Sequence, residues 1–203
     1  MKKILTLVAL MASTFSQADT LLEPIQNQWA ICQYQVPVQQ KESCLEKLSG
    51  EAEQISTANS QRTDLLIWSA IVKSSWAGAK GGLGALSLVK SAKQQLEQAI
   101  KQNPAALDGS AYTSLGSLYY QVPGWPIGFG NKEQAEQLLK QALNLNPNGI
   151  DPNYFYGDFL LEQGRKAEAR QYLNKALVAP PRPGRELADK GRRKEIETKL
   201  AAL

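Results

Sequence analysis

Residues 156–181 read YGDFLLEQGRKAEARQYLNKALVAPP. Counted from Tyr156, the residues Gly157, Leu160, Gly164, Ala169, Leu173, Ala176 and Pro181 fall at offsets of 1, 4, 8, 13, 17, 20 and 25. Apolar and small residues three and four apart share one helix face, so the stretch predicts two helices around a turn. Gly157 and Ala169 are small enough for the helices to approach closely, Gly164 supplies the turn, and Pro181 stops the second helix. The preceding residues repeat the arrangement. Tyr112, Leu115, Gly116 and Tyr119 supply a first helix, and Ala135, Leu139, Ala142 and Pro147 accompany a second. Ala111 to Pro181 is therefore expected to hold two consecutive helix pairs of one kind.

Working outward toward the N-terminus, Arg62–Trp76 is strongly helical, with Leu65, Leu66, Trp68, Ile71 and Val72. Its partner is expected over about Ala85–Lys101, where Ala92, Leu96, Ala99 and Pro104 reproduce the spacing of the second helices. This alignment puts Trp68, Ser69 and Val72 on the core side. From Ser69 to Ala92 is 23 residues rather than 12. The eleven extra residues, centred on Gly78-Ala79-Lys80-Gly81-Gly82-Leu83-Gly84, predict a long flexible turn. Neither G-x-x-x-x-G-K-[ST] nor G-x-G-x-x-G occurs in that run, which argues against a phosphate-binding loop.

Leu22, Ile25, Trp29 and Cys32 form an amphipathic pattern ended by Pro37, and Cys44, Leu45, Leu48, Ala52 and Ile55 form another over Val38 to about Ser56. Cys32 and Cys44, the chain's two cysteines, are twelve residues apart, as Gly157 and Ala169 are. They are expected at the helix-crossing positions of a degenerate first pair, joined by a disulfide if the chain folds in an oxidising compartment. Two buried free thiols are the alternative.

The compartment is read from the N-terminus. Lys2 and Lys3 precede an apolar run from Ile4 to Phe15, and Ser16-Gln17-Ala18 ends in a small residue, which predicts a signal peptide over 1–18. The run is too short to span about 30 Å of hydrocarbon, and no cysteine near it suggests lipid attachment. Cleavage would leave 21 basic against 19 acidic residues. Residues 180–203 hold 7 basic and 4 acidic side chains, so the body is near neutral and the tail basic. That balance argues against nucleic acid as a partner.

Gly116 to Ala135 spans 19 residues, seven more than the cleaner pair. The surplus falls within Val122-Pro123-Gly124-Trp125-Pro126-Ile127-Gly128-Phe129-Gly130, whose prolines and glycines exclude a helix. Trp125, Ile127 and Phe129 are costly to leave in water. They are expected either to fold back and cap the core or to form a binding loop on a rigid scaffold. After Arg182-Pro183-Gly184 the chain returns as a helix over Arg185–Leu203. Arg192, Arg193, Lys194 and Lys199 are expected on its polar outer face, where they also suit the negative end of its dipole.

With four helix pairs laid out, the chain resembles the tetratricopeptide-repeat superfamily, most closely over 111–181. The lengthened turn from Pro123 to Gly130, followed by the helix of Ala135, Leu139 and Ala142, is similar to small exported members, among them the T components of tripartite ATP-independent periplasmic transporters. The resemblance implies an all-α, right-handed solenoid over 19–181 with a capping helix over 182–203. It further implies a periplasmic protein with a cleft or pore beside a substrate-binding protein. Family geometry puts Thr63, Leu66, Ala70, Lys73 and Ser74, then Ser110, Thr113, Ser117, Tyr120 and Gln121, then Asp151, Tyr154, Asp158, Leu161 and Glu162 on a concave groove. Lys73, Tyr120, Tyr154, Asp158 and Glu162, with Trp125 and Phe129 of the loop, are thus the candidate partner-binding residues. The acidic end of that groove suits an extended peptide or protein surface of basic character.

Three classes of function follow. The first is a non-catalytic module that binds a protein or peptide. The second is an enzyme, disfavoured because the chain has no histidine and no paired carboxylates outside solvated helix faces. The third is a carrier of a small ligand, lined by Trp125, Phe129, Tyr119 and Tyr120. No cofactor or metal is expected, and a homo-oligomer is compatible with the sequence.

Overall fold

Small residues recurring at the crossing points decide how the helices pair. The computed structural model describes residues 18–203, so the expected signal peptide lies outside the described residues. Nine α-helices follow one another there: α1 (Ala18–Tyr34), α2 (Val38–Ala58), α3 (Thr63–Lys80), α4 (Gly82–Gln102), α5 (Ser110–Gln121), α6 (Lys132–Leu145), α7 (Ile150–Glu162), α8 (Lys166–Leu177) and α9 (Glu186–Ala201). The first eight make four pairs stacked side by side in a right-handed solenoid. In the last pair Gly157 lies under Leu173, where an added Cβ would stand 2.9 Å from Leu173 Cγ. Gly164 turns the chain at φ +73°, in the left-handed region open to glycine. Gly116 meets Leu139 and the Ala135 carbonyl in the same way. Trp68, Ser69 and Val72 are buried, as the alignment of the repeats requires.

The Gly78–Gly84 expectation is corrected. α3 runs through Gly78 to Lys80, α4 starts at Gly82, and Gly81 alone separates them. The eleven extra residues lengthen both helices instead of opening a turn. Only Gly81 and Gly82 use positive φ, at +64° and +60°. Long helices are favoured because each added turn satisfies its own backbone groups, whereas a structureless loop would leave them to solvent.

Cys32 and Cys44 form a disulfide between α1 and α2, with Cα atoms 5.6 Å apart. The staple joins the pair at the N-terminal end of the stack.

The largest departure from the sequence reading is α9. Its Ala188 packs in the cluster of Ile25, Trp29, Leu45 and Trp68, while Ile196 packs with Ile150, Tyr154 and Leu173. Gly191 permits contact with α1, because a Cβ there would run into the Tyr34 ring. α9 thus bridges the first pair and the last. Arg192 and Lys199, expected outside, turn inward onto α7, and Lys194 stays exposed. Arg193 donates to the carbonyls of Leu177 and Ala179, at 3.4 and 2.8 Å, and so serves the C-terminal end of α8 rather than that of its own helix.

Candidate functional site

Of the residues expected on the groove, Ser74, Ser110, Thr113, Ser117, Gln121, Asp151 and Tyr154 line one cavity, but the chain itself covers several of the set. Lys73 is buried, with Nζ 2.7 Å from Glu53 and 3.1 Å from the Ser91 hydroxyl. Tyr120 is buried and donates to Asp158 at 2.8 Å; burial first, then the Asp158 charge, push its phenol well up. Asp158 also takes Lys199 of α9 at 2.5 Å. Tyr154 lies beneath Arg192, whose guanidinium carbon is 4.2 Å from the ring centroid. An open face at Lys73, Tyr120, Tyr154 and Asp158 is therefore corrected to a covered one. Glu162 remains exposed.

The acidic end of the groove does attract a basic segment, and that segment is in the same chain. Asp151 accepts from Arg182 at 2.6 Å and from Arg192 at 3.0 Å. Burial raises the Asp151 carboxyl, but Arg182 and Arg192 outweigh it and hold it far below the usual carboxylate range. Arg182 also binds Asp189 and Arg192 binds Glu195, both at 2.6 Å. This network clamps the 180–185 segment and α9 to the start of α7.

Between the pairs and α9 lies a cavity of about 1,200 Å³. Trp29 and Trp68 contribute aromatic wall, packed edge to face at 5.6 Å. Leu86, Val89 and Leu118 add aliphatic wall, and Ser74, Ser114, Ser117 and Gln121 add polar groups. Arg182, Arg185 and Arg192 supply the cationic side. Leu107 and Asp108, both at positive φ of about 50°, carry the chain from α4 to α5 along the same lining. The expected ligand lining of Trp125, Phe129, Tyr119 and Tyr120 is not part of this wall.

The 122–130 loop is divided. Val122 is buried, and Phe129 packs edge to face on Tyr119 at 5.4 Å, with Lys93 Nζ 5.7 Å from its ring. Trp125 is 90% exposed and Ile127 61%. A loop folded back to cap the core is thus corrected at Trp125 and Ile127, which no core cluster receives. The loop is nonetheless tightly built. Gly128 N–H donates to Gly124 and Gly130 N–H to Pro123, at 3.1 and 3.0 Å, and Asn131 N–H donates to Tyr119 at 2.8 Å. Backbone at Val122 and Pro123 leaves no room for a Cβ on Gly130. Ile127, Val122 and Pro123 also reach the cavity.

Residues 127–186 match the tetratricopeptide-repeat family model. A crystal structure of a thermophilic TPR protein from Thermus thermophilus is similar over 87% of this chain and 82% of its own, with a TM-score of 0.56 and 20% identity. The chain folds as a tetratricopeptide-repeat solenoid. No curated protein sequence matches it. Against the regular tetratricopeptide repeat, three features of this solenoid stand out: the long α3 and α4, the projecting 122–130 loop, and α9 laid across the groove. Sequence reasoning missed Arg182 and Arg185 as site residues. The basic tail was the available signal, but nothing in its spacing said that it returns to α7. Among the described residues no helix is long and apolar enough to cross a membrane.

Proposed function

We propose that this chain is an exported, non-catalytic tetratricopeptide-repeat scaffold that binds a protein partner through the 122–130 loop. The observation that carries the reading is Trp125, 90% exposed at the tip of a loop whose backbone is pinned on both sides. Burying a large apolar side chain is worth about 1.5–3 kcal/mol. A rigid loop that forgoes this within its own core holds it for a partner, at little entropic cost on binding. Trp125 and Ile127 fit a protein surface with an apolar pocket. The groove offers less, since Lys73, Tyr120, Tyr154 and Asp158 already have partners within the chain. Periplasmic location rests on the Lys2-Lys3 and Ile4–Phe15 pattern and accords with the disulfide. The decisive experiment is affinity capture from periplasmic extract with wild type and Trp125→Ala. A protein retained by wild type and lost by a folded Trp125→Ala supports the reading; equal retention by both contradicts it.

The cavity favours a second reading, an accessory component of a periplasmic transport system that holds a small ligand, as the resemblance to the T components suggests. Both readings fit one molecule, because Ile127 belongs to the loop and to the cavity lining.

A further inference from the structure

Arg185 is the one cavity arginine that the network leaves out. Its guanidinium carbon lies 4.7 Å from the centroid of Trp68. Its Nε is buried without a hydrogen-bond partner, and it makes no ion pair among the described residues. The neighbouring carboxylates are already committed, Asp151 to Arg182 and Arg192, Asp189 to Arg182, and Glu195 to Arg192. Burial first, and then the Arg182 charge, press Arg185 down to about 10, against a smaller opposing pull from Asp151 and Asp189, so it stays protonated at neutral pH without a direct ion-pair partner. A buried donor left without an acceptor is costly, and a guanidinium stacked on an aromatic face presents its remaining donors in one plane.

We infer that the cavity binds an amphipathic organic carboxylate, its carboxylate paired with Arg185 and its apolar body along Trp29, Trp68, Leu86 and Val89. The inference deepens the small-ligand reading above and rests on it. Three observations converge. The free guanidinium calls for one anionic group, and its planar fork matches a carboxylate. The adjoining wall is aromatic and aliphatic, which excludes a small hydrophilic anion as the whole ligand. The volume of about 1,200 Å³ exceeds the roughly 300–1,000 Å³ of ordinary small-molecule pockets, so a long chain has room. Lys41, also on the lining and without an ion pair among the described residues, adds positive charge, while Asp108 on the same lining is exposed to solvent.

The test uses dodecanoate, dodecanol, dodecyltrimethylammonium and acetate, each below micellar concentration, followed by calorimetry and by tryptophan fluorescence. Trp68 under Arg185 and its neighbour Trp29 are the reporters. Dodecanoate is expected to saturate at one equivalent per chain, with dodecanol weaker, and with dodecyltrimethylammonium and acetate weaker still. Arg185→Gln should weaken dodecanoate by roughly 10- to 100-fold, as loss of a charge-assisted hydrogen bond implies, and leave dodecanol unchanged. Equal affinity for dodecanoate and dodecanol overturns the carboxylate inference while sparing the small-ligand reading; no binding of any probe overturns both. An Arg185→Gln variant that binds dodecanoate as wild type does also overturns it. Should that variant fail to fold, the wild-type ranking of the four probes decides alone.

Discussion

Asp151→Asn probes the closure of the solenoid by its own tail. The carboxylate binds Arg182 at 2.6 Å and Arg192 at 3.0 Å, and its side chain is 29% exposed. Removing one member of a buried ion pair costs about 3–5 kcal/mol. Here Arg182 keeps Asp189 and Arg192 keeps Glu195, both at 2.6 Å, and asparagine retains one acceptor oxygen. The expected loss is therefore smaller, about 2 kcal/mol at pH 7, read from urea unfolding. At about 2–4 °C per kcal/mol for a domain of this size, the melting midpoint should fall by about 4–8 °C. The pH dependence supplies an independent reading. The folded-state carboxyl is held below its unfolded value of about 3.9, so its contribution is complete above that pH and is lost as pH falls toward the folded value. The gap between wild type and variant should be constant from pH 5 to 8 and should close below about pH 4. A loss under about 0.5 kcal/mol, or a gap that widens on acidification, would refute the role given to Asp151.

Gly157→Ala should destabilise by about 1–3 kcal/mol, because the new Cβ meets Leu173 side chain and backbone, whereas Gly50→Ala, in open space within α2, should stabilise by about 0.5–1 kcal/mol; urea titration distinguishes them. Thiol titration of the native protein should find no free cysteine, and replacing Cys32 and Cys44 by serine should cost about 2–3 kcal/mol in the same titration, from the short loop they close. Trp125→Ala should leave the unfolding free energy unchanged within about 0.5 kcal/mol, since the side chain is exposed; a loss above about 2 kcal/mol would mean that Trp125 holds the core.

The helix pairs were legible because their evidence is local. Gly157, Gly164, Ala169 and Leu173 fix spacing, turn and crossing within one short stretch, and the spacing of Cys32 and Cys44 extends the rule to a pair with little other signature. Glycine density misled at 78–84, where only Gly81 and Gly82 need positive φ and Gly78 sits in helix with open space around it. Composition alone does not separate a glycine required by the backbone from one merely tolerated. The site was half legible. Asp151 and Asp158 marked an acidic groove end, and Arg182, Arg192 and Lys199 marked a basic tail, but their union depends on contacts 31 to 41 residues apart in sequence. No periodicity encodes such contacts. Trp125 and Phe129 share a loop and a chemistry, yet one is exposed and the other packs on Tyr119, a distinction set by the loop's hydrogen bonds.

The claim that the 122–130 loop is the partner site is tested most directly by site-specific photocrosslinking in cells that express the protein. A photoreactive residue is placed at Ile127, or on the exposed face of α6 at Gln137 as a control. The expected result is one discrete protein adduct from position 127, absent when Trp125 is also alanine, and none from position 137. No adduct at 127, or the same adduct at both positions, would contradict it.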